Sequence, residues 1–432
     1  MLLTIGSERC YKWCREEINM DWEKYLRTEA LADFAKYVSP GKHNAYRLLG
    51  YDFIPCKREG VWIHDDKGNR YVNCRSSGGV FNFGHRPKEL IDELKKALEI
   101  FDIGDHLLMS GARAALAKKF AELTPGDIQY TVFGAGGGEA VDLAIKLSRA
   151  HTKRPKVISA IGGYHGHTGF ALATGDEDFK KYFGPLAPGF VQVPFGDVKA
   201  LEKEIDETTA AIIFETIPAT FGIKIPPDDF FPAARKLCDR TGAIMIIDEV
   251  QAGMGRTGRL WAIEEYGVTP DIMVLAKGLS GAVYPMSATC FRPFLNKFLE
   301  EHPFIHVSTM GGSEIGCVVT LKVLEMTSKP EFLSGVRRKA ELFEKGLMEI
   351  QRRHARLVKE VRVKGLMIGV SMPEEKFGPL LTIALKKNGV IALFANNDRR
   401  VMIIMPPLVI SDSEIEFVLD ALEKSFTELE KV

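Results

Sequence analysis

Asp248 closes the apolar run Ala243-Ile244-Met245-Ile246-Ile247, and Lys277 closes the run Ile272-Met273-Val274-Leu275-Ala276. Read as two buried strands, these runs bring a carboxylate and an amine to one edge of a sheet. A desolvated lysine can form a Schiff base with an aldehyde, and a strand-end carboxylate can keep a proton on a pyridine nitrogen. Pyridoxal phosphate chemistry requires that pair. Taken singly, each residue has a plainer explanation. A strand-end Asp often caps a helix, and a strand-end Lys often reaches water.

Two further segments belong to the same edge. Phe133-Gly134-Ala135-Gly136-Gly137-Gly138-Glu139 follows a strand and opens a helix. Glycines there let a phosphate approach the backbone, and a helix N-terminus offers free N–H groups. The spacing fails the dinucleotide fingerprint at Glu139 and lacks the Lys-Ser/Thr of a Walker loop, while a purely structural turn stays open. Gly162-Gly163-Tyr164-His165-Gly166-His167-Thr168 lies beyond the next strand. Tyr164 can lie flat on a planar ring, or serve as a core aromatic. His165 and His167 lack an evident third metal ligand.

The elements that must position these residues alternate. Strands are expected at 130–133, 156–160, 210–214, 243–247 and 272–275, with helices at 112–123, 139–150 and 230–241. Such βαβ alternation means a mostly parallel sheet buried by helices on both faces. Upstream, residues 7–37 read as one amphipathic helix ending before Ser39-Pro40-Gly41, and 60–74 as a hairpin with a polar turn at 65–69. Beyond Gly312, long helices at 315–326 and 335–354, strands within 357–370 and at 401–405, and helices at 382–388 and 413–429 describe a smaller α+β unit. The expected organisation is an arm with part of the small domain (1–75), a large cofactor-binding domain (76–325) and a C-terminal small domain (326–432).

Composition narrows the partners. The chain's 432 residues carry 57 basic and 57 acidic side chains, which argues against a nucleic-acid or membrane-surface protein. The seven cysteines are odd in number and unpaired in spacing, so they read as reduced thiols. Cys10 and Cys14 stand one helical turn apart, but no second ligand pair follows to make a zinc site. No metal is expected. The first ten residues lack the apolar core of a secretory leader, and no apolar run approaches the roughly 20 residues of a membrane span. The expectation is a soluble, cytoplasmic protein with a small-molecule substrate.

From about Tyr46 to Leu422 the chain resembles the class III (omega-type) aminotransferases, fold type I of the pyridoxal-phosphate enzymes. The motifs are Ile246-Ile247-Asp248-Glu249-Val250-Gln251-Ala252-Gly253-Met254-Gly255-Arg256-Thr257-Gly258, Pro270-Asp271 and Ala276-Lys277-Gly278. Tyr164-His165-Gly166, His306-Val307-Ser308-Thr309 and Pro406-Pro407-Leu408 complete the set. The resemblance implies an α/β fold like that of aspartate aminotransferase, with a large sheet domain and a smaller α+β domain from both chain ends. It implies pyridoxal 5'-phosphate, with Lys277 as its covalent anchor and proton shuttle and Asp248 on the ring nitrogen. Tyr164 and Val250 would flank the ring, Gln251 would reach its hydroxyl, and Gly136, Gly137 and Gly138 would hold the phosphate. His165 and Glu215 would stand around the site, and Thr309 would reach the phosphate of a neighbouring subunit, making a homodimer with shared sites. Val80 and Phe81 would line the substrate side.

Three positions depart from the family pattern. The usual Ser-Gly-Thr at the phosphate turn is Gly136-Gly137-Gly138, forfeiting two hydroxyl donors at roughly 1 kcal/mol each. The arginine that many members place before Pro-Pro-Leu, where it grips an α-carboxylate, is Ile403. Its usual glutamate screen, five residues past Glu215, is Thr220. The paired loss leaves that wall less polar. It favours a carboxylate-free amine, an ω- or β-amino compound, or a β-aminoacyl thioester of coenzyme A as donor, with a keto acid such as 2-oxoglutarate or pyruvate as acceptor. Arg399, Arg400 and Arg75 are the nearby candidates for meeting a carboxylate, against a plain surface role. A racemase or aminomutase of the same family is the alternative within this chemistry, and a non-catalytic binding protein on this fold is the alternative outside it.

Overall fold

A computed structural model describes residues 20–431. They divide into two compact units, 20–58 with 63–70, and 59–62 with 71–431. In the first, Asp21 caps helix Trp22–Thr28 by accepting from the Lys24 N–H, Ala30–Asp33 follows, and Phe34–Val38 widens into a π-type turn. The expected single helix over 7–37 is therefore broken within its described part, and residues 7–19, with Cys10 and Cys14, lie outside the described residues. Ser39-Pro40 starts an element instead of merely ending one. Pro40 occupies the first turn of helix Pro40–Leu48, and the Ser39 hydroxyl accepts from the Lys42 N–H at 3.2 Å. Proline suits that position because its missing N–H would have no helical partner anyway. The polar turn is as expected, its Asp65 carboxylate accepting from the N–H groups of Lys67 and Asn69 at 2.9 and 2.8 Å.

The second unit is built on a seven-stranded sheet. In chain order its strands are β1 Tyr130–Gly134, β2 Lys156–Ala160, β3 Phe190–Val193, β4 Thr209–Glu215, β5 Ile244–Asp248, β6 Ile272–Leu275 and β7 Ser287–Phe291. Their order across the sheet is β1-β7-β6-β5-β4-β2-β3. β7 pairs antiparallel with both β1 and β6, and the pairs among β3, β2, β4, β5 and β6 are parallel. Side chains alternate between faces. Ile213, Ile246 and Val274 pack with Val141 and Ile145 of helix α1 (Gly137–Thr152). Phe214, Ile247 and Leu275 pack on the other face with Phe230 and Leu237 of helix α2 (Phe230–Thr241). Each such fully buried side chain contributes about 1.5–3 kcal/mol, so the sheet is a rigid platform for whatever its strand ends carry.

A four-stranded antiparallel sheet follows, with strands β8 Glu360–Lys364, β9 Met367–Ser371, β10 Leu393–Phe394 and β11 Val401–Ile404 in the order β8-β9-β11-β10. Helices α3 (Pro330–Arg353), α4 (Phe377–Lys387) and α5 (Asp412–Leu429) share its core through Phe343, Leu385 and Phe426. Part of the early hairpin joins this end of the chain, as expected. Val72 and Asn73 pair in parallel with Val390 and Ile391. Among the described residues no helix is long and apolar enough to cross a membrane.

Candidate active site

Three parallel strands present their carboxyl ends side by side. Glu215 ends β4 and Asp248 ends β5, and the two are direct register partners. Lys277 follows β6, opening the short 3-10 turn Lys277–Ser280. Glu215 and Asp248 are buried and Lys277 is half-buried. Burial pushes the Lys277 amine below the usual ammonium range, against the opposing attraction of Asp248 and Glu215, and the charge of Arg75 adds to the depression. Burial likewise pushes Glu215 up to about 7, with the adjacent Asp248 charge acting in the same direction. Lys277 also adopts φ +48°, left-handed backbone that residues with a Cβ seldom take. The strand ends thus converge an amine of lowered basicity with two carboxylates.

The loop after β2 closes on this cluster. His165 Nδ1 donates to Asp248 Oδ2 at 2.7 Å, and the Tyr164 N–H donates to Glu215 Oε1 at 2.9 Å. Burial disfavours a charged His165 ring, but the Asp248 hydrogen bond and the charges of Asp248 and Glu215 outweigh it, so its pKa moves upward. The other Asp248 oxygen accepts from the Val250 N–H at 2.9 Å. Two donors leave a carboxylate with spare lone pairs for a third. Gly166, at φ +127°, explains how the loop comes so near: a Cβ there would lie 2.7 Å from the Cα of Gly138. The phosphate turn and the aromatic loop therefore meet backbone to backbone.

Between them lies a cavity of about 510 Å³, lined by Gly136, Gly137, Gly138, Tyr164, His165, Glu215, Asp248, Val250, Gln251 and Lys277, with Val80 at its edge. Its features fit pyridoxal phosphate. Helix α1 begins at Gly137 with no side-chain cap, leaving N–H groups for an anion. A Cβ on Gly137 would lie 3.2 Å from Val250 and 3.5 Å from Ala276, so the glycine keeps that slot open. The buried Nε2 of His165 has no partner among the described residues. The sequence reading overlooked Ser280, Tyr284 and Met286, which line the same cavity. They sit in a turn that carries no motif.

The remaining predicted residues fall elsewhere. Ile403 and Thr220 line a neighbouring cleft of about 80 Å³ that shares Gln251 with the large cavity and also includes Arg75. Arg400 forms a two-pronged ion pair with Asp398, with bonds of 2.8 and 3.0 Å. Arg399 is exposed and lies over Phe394. Neither arginine lines the cavity or the cleft, because the local acid and ring hold them. Phe81 packs on His85, with ring centroids 4.2 Å apart, and does not line the cavity. Thr309 is exposed on the segment after helix Lys297–Glu301, not on the wall of this chain's cavity. Among the described residues no cluster of three or more His, Cys, Asp or Glu could hold a metal.

A lysine after one strand, an acid ending the next and an uncapped helix facing both define the cofactor site of a fold type I pyridoxal-phosphate enzyme. Comparison with known proteins makes this specific. The profile of the family described as "Aminotransferase class-III" matches residues 48–426. An uncharacterized aminotransferase of Archaeoglobus fulgidus is 54% identical over 396 residues, covering 92% of this chain and 93% of the relative. A putrescine aminotransferase of Pectobacterium atrosepticum is 34% identical over 438 residues, covering 97% and 94%. The solved ornithine aminotransferase of Toxoplasma gondii, with partial occupancy of pyridoxal phosphate at its active site, superposes with a TM-score of 0.87 at 28% identity, covering 95% of this chain and 99% of that one. The chain belongs to the class-III aminotransferase family. It is a pyridoxal-phosphate-dependent transaminase, taking an amino group from one small molecule and giving it to a keto acid.

Proposed function

We propose that the donor is a primary amine, or an ω- or β-amino compound, that needs no guanidinium grip on an α-carboxylate. The observation that carries this reading is that Ile403 stands with Leu393 and Phe394 on the wall of the cleft beside the cavity, an apolar side chain at the position where many members of the family place an arginine. A relative named putrescine aminotransferase supports it.

Pyridoxal phosphate supplies an aldehyde and, once its ring nitrogen is protonated, a ring that accepts electrons. The chain's residues do the rest. Asp248 would hold the proton at the ring nitrogen, and His165 fixes that carboxylate in place through its 2.7 Å bond. The N–H groups at the start of α1, including Gly137 and Gly138, would bind the phosphate, Tyr164 and Val250 would orient the ring, and Gln251 would meet its hydroxyl. Lys277 would anchor the aldehyde, and its amine, whose basicity burial lowers, would carry the proton at the substrate carbon. Thr309 serves the site of a second copy, so the working form is a homodimer. The exposed Leu107, Leu108, Met109, Phe304, Ile305 and Met310 support this, since isolated surfaces seldom show such apolar groups together. A particle of one chain's 48.1 kDa mass in sedimentation would remove that part.

The test is a half-reaction screen, following the visible absorbance of the loaded enzyme against amines, diamines, β-amino acids and β-aminoacyl thioesters of coenzyme A. We expect a carboxylate-free amine or one of the β- or ω-amino compounds to bleach it fastest and leave it bleached. Preference for an α-amino acid that reacts at its α-amine would sink the donor reading. Recovery of the original spectrum with inverted substrate would favour a racemase.

A further inference from the structure

We infer that Arg75 is the carboxylate-recognition residue of this transaminase and that it takes the keto-acid acceptor rather than the donor. The inference deepens the reading above and rests on it for the acceptor's chemistry alone.

The turn that carries Arg75 is built stiffly against the reacting centre. The Arg75 and Ser76 N–H groups both donate to Asn73 Oδ1, at 3.1 and 3.0 Å, and the Gly78 N–H donates back to the Arg75 carbonyl at 2.9 Å. Ser76, Ser77, Gly78 and Gly79 then run at φ +46°, +47°, +67° and +96°. Successive left-handed residues, two of them serines, are costly and persist where surrounding structure imposes them. Gly78 shows what they achieve. A Cβ there would lie 2.7 Å from Gln251 Nε2 and 3.6 Å from Lys277 Cε. The turn abuts both cofactor-side residues, and the Arg75 charge is felt at the Lys277 amine.

Arg75 itself has an exposed side chain, with no carboxylate bound to it among the described residues. It lines the 80 Å³ cleft, whose walls contain no acidic residue and no second cation. Arg399 lies over the Phe394 ring and Arg400 pairs with Asp398, and neither lines the cleft. A second observation points at the same place. The hydroxyl of Thr220 is buried without a hydrogen-bond partner among the described residues, and Thr220 lines this cleft. An unanswered guanidinium and an unanswered hydroxyl around one small cleft are the donor set of a carboxylate site.

Of the two substrates, the keto acid always brings a carboxylate. A carboxylate-free donor would rest on Ile403 and Phe394 while the exposed Arg75 side chain turns to water. One cleft then serves both half-reactions without a buried arginine that must be screened.

The experiment isolates the acceptor half. Enzyme loaded directly with pyridoxamine phosphate is mixed with 2-oxoglutarate or pyruvate, and glutarate is titrated as an unreactive dicarboxylate by calorimetry. Wild type, Arg75→Ala, Arg75→Lys and Thr220→Val are compared. We expect Arg75→Ala to raise the keto-acid KM and the glutarate Kd by about tenfold or more, the loss of a charge-assisted bond, with kcat changed little. Arg75→Lys should recover only part, because a point charge lacks the guanidinium fork. Thr220→Val should weaken glutarate binding by a smaller factor, and sodium chloride should weaken wild-type glutarate binding. Bleaching of the aldehyde-loaded form by a simple alkylamine should stay within about twofold. Unchanged glutarate Kd and keto-acid KM in Arg75→Ala would overturn the proposal, as would an equal fall in both half-reactions. Because the acceptor arms start from the amine-loaded cofactor, they read out even if the donor reading fails.

Discussion

At the scale of single residues, the site works by keeping charges dry and close. Among the described residues His165 touches Asp248 and no second polar partner, so its contribution is to orient that carboxylate. His165→Phe should lower kcat by about tenfold or more, the equivalent of one lost hydrogen bond to a charged group. The pH profile of kcat should move as well, and His165→Gln should restore part of the rate. A variant with normal kcat and an unchanged profile would show the histidine to be packing alone. Much of this was legible beforehand. The cavity gathers Asp248, Lys277, Tyr164, Val250 and Gln251 with the three glycines, residues whose motifs are contiguous in sequence. Arg75 was harder to weigh. Its importance depends on what does not pair with it and on the Thr220 hydroxyl, and neither absence leaves a mark in a sequence.

At the scale of elements, one buried arginine ties the loops around Lys277 together. Arg256 is wholly buried without a carboxylate partner among the described residues, and burial pushes its guanidinium down to about 9. It donates to the carbonyls of Pro406 and Leu366 and to the Asn82 side chain. The Asn82 carbonyl in turn accepts from the Leu408 N–H at 2.8 Å. Arg256→Lys keeps the charge but cannot reach three acceptors from one nitrogen with the same geometry. We expect a loss of about 2–3 kcal/mol, from acceptors left buried and unpaired, read as a lower urea midpoint at unchanged slope. A midpoint within error of wild type would mean that water replaces the guanidinium. The elements themselves were largely readable where apolar periodicity was strong, as in β2, α2 and β6. Strand β7 was not, because Ser287-Ala288-Thr289-Cys290-Phe291 is fully buried yet mostly small or polar. Its Thr289 hydroxyl is satisfied by the Ala140 carbonyl at 2.9 Å, a partner far along the chain. The break in the N-terminal helix was missed because it falls at Glu29, where Thr28-Glu29-Ala30 contains neither proline nor glycine.

At the scale of the whole molecule, the buried acids make stability depend on pH in an unusual direction. Burial pushes both Glu215 and Glu249 up to about 7, from an ordinary 4.5. The unfolded chain releases these protons near 4.5, whereas the folded chain holds them to about 7. Across that window the folded state binds more protons, so stability falls as pH rises. His165, shifted upward as well, contributes stability that is present below its unfolded value and lost as pH climbs through its folded one. The cofactor-free protein should therefore show a urea midpoint that declines from pH 4.5 to pH 7.5, and Glu215→Gln should flatten the decline. A midpoint that rises over this range would contradict the assignment. Cofactor binding should oppose the decline, since a ligand held by the folded state alone stabilises it by mass action.

The left-handed backbone at Lys277 carries a lesson for anyone who needs an inert version of this enzyme. Alanine is the customary blank, yet at φ +48° its methyl group meets the clash that disfavours left-handed conformations, and glycine does not. Lys277→Gly should therefore be more stable than Lys277→Ala by about 1 kcal/mol, reversing the order seen at most buried positions. Paired thermal melts of the two cofactor-free variants would show it, and equal or opposite ranking would refute it. The one position that chemistry reserves for lysine is a position that the polypeptide, left to its own conformational preferences, would assign to the smallest residue it has.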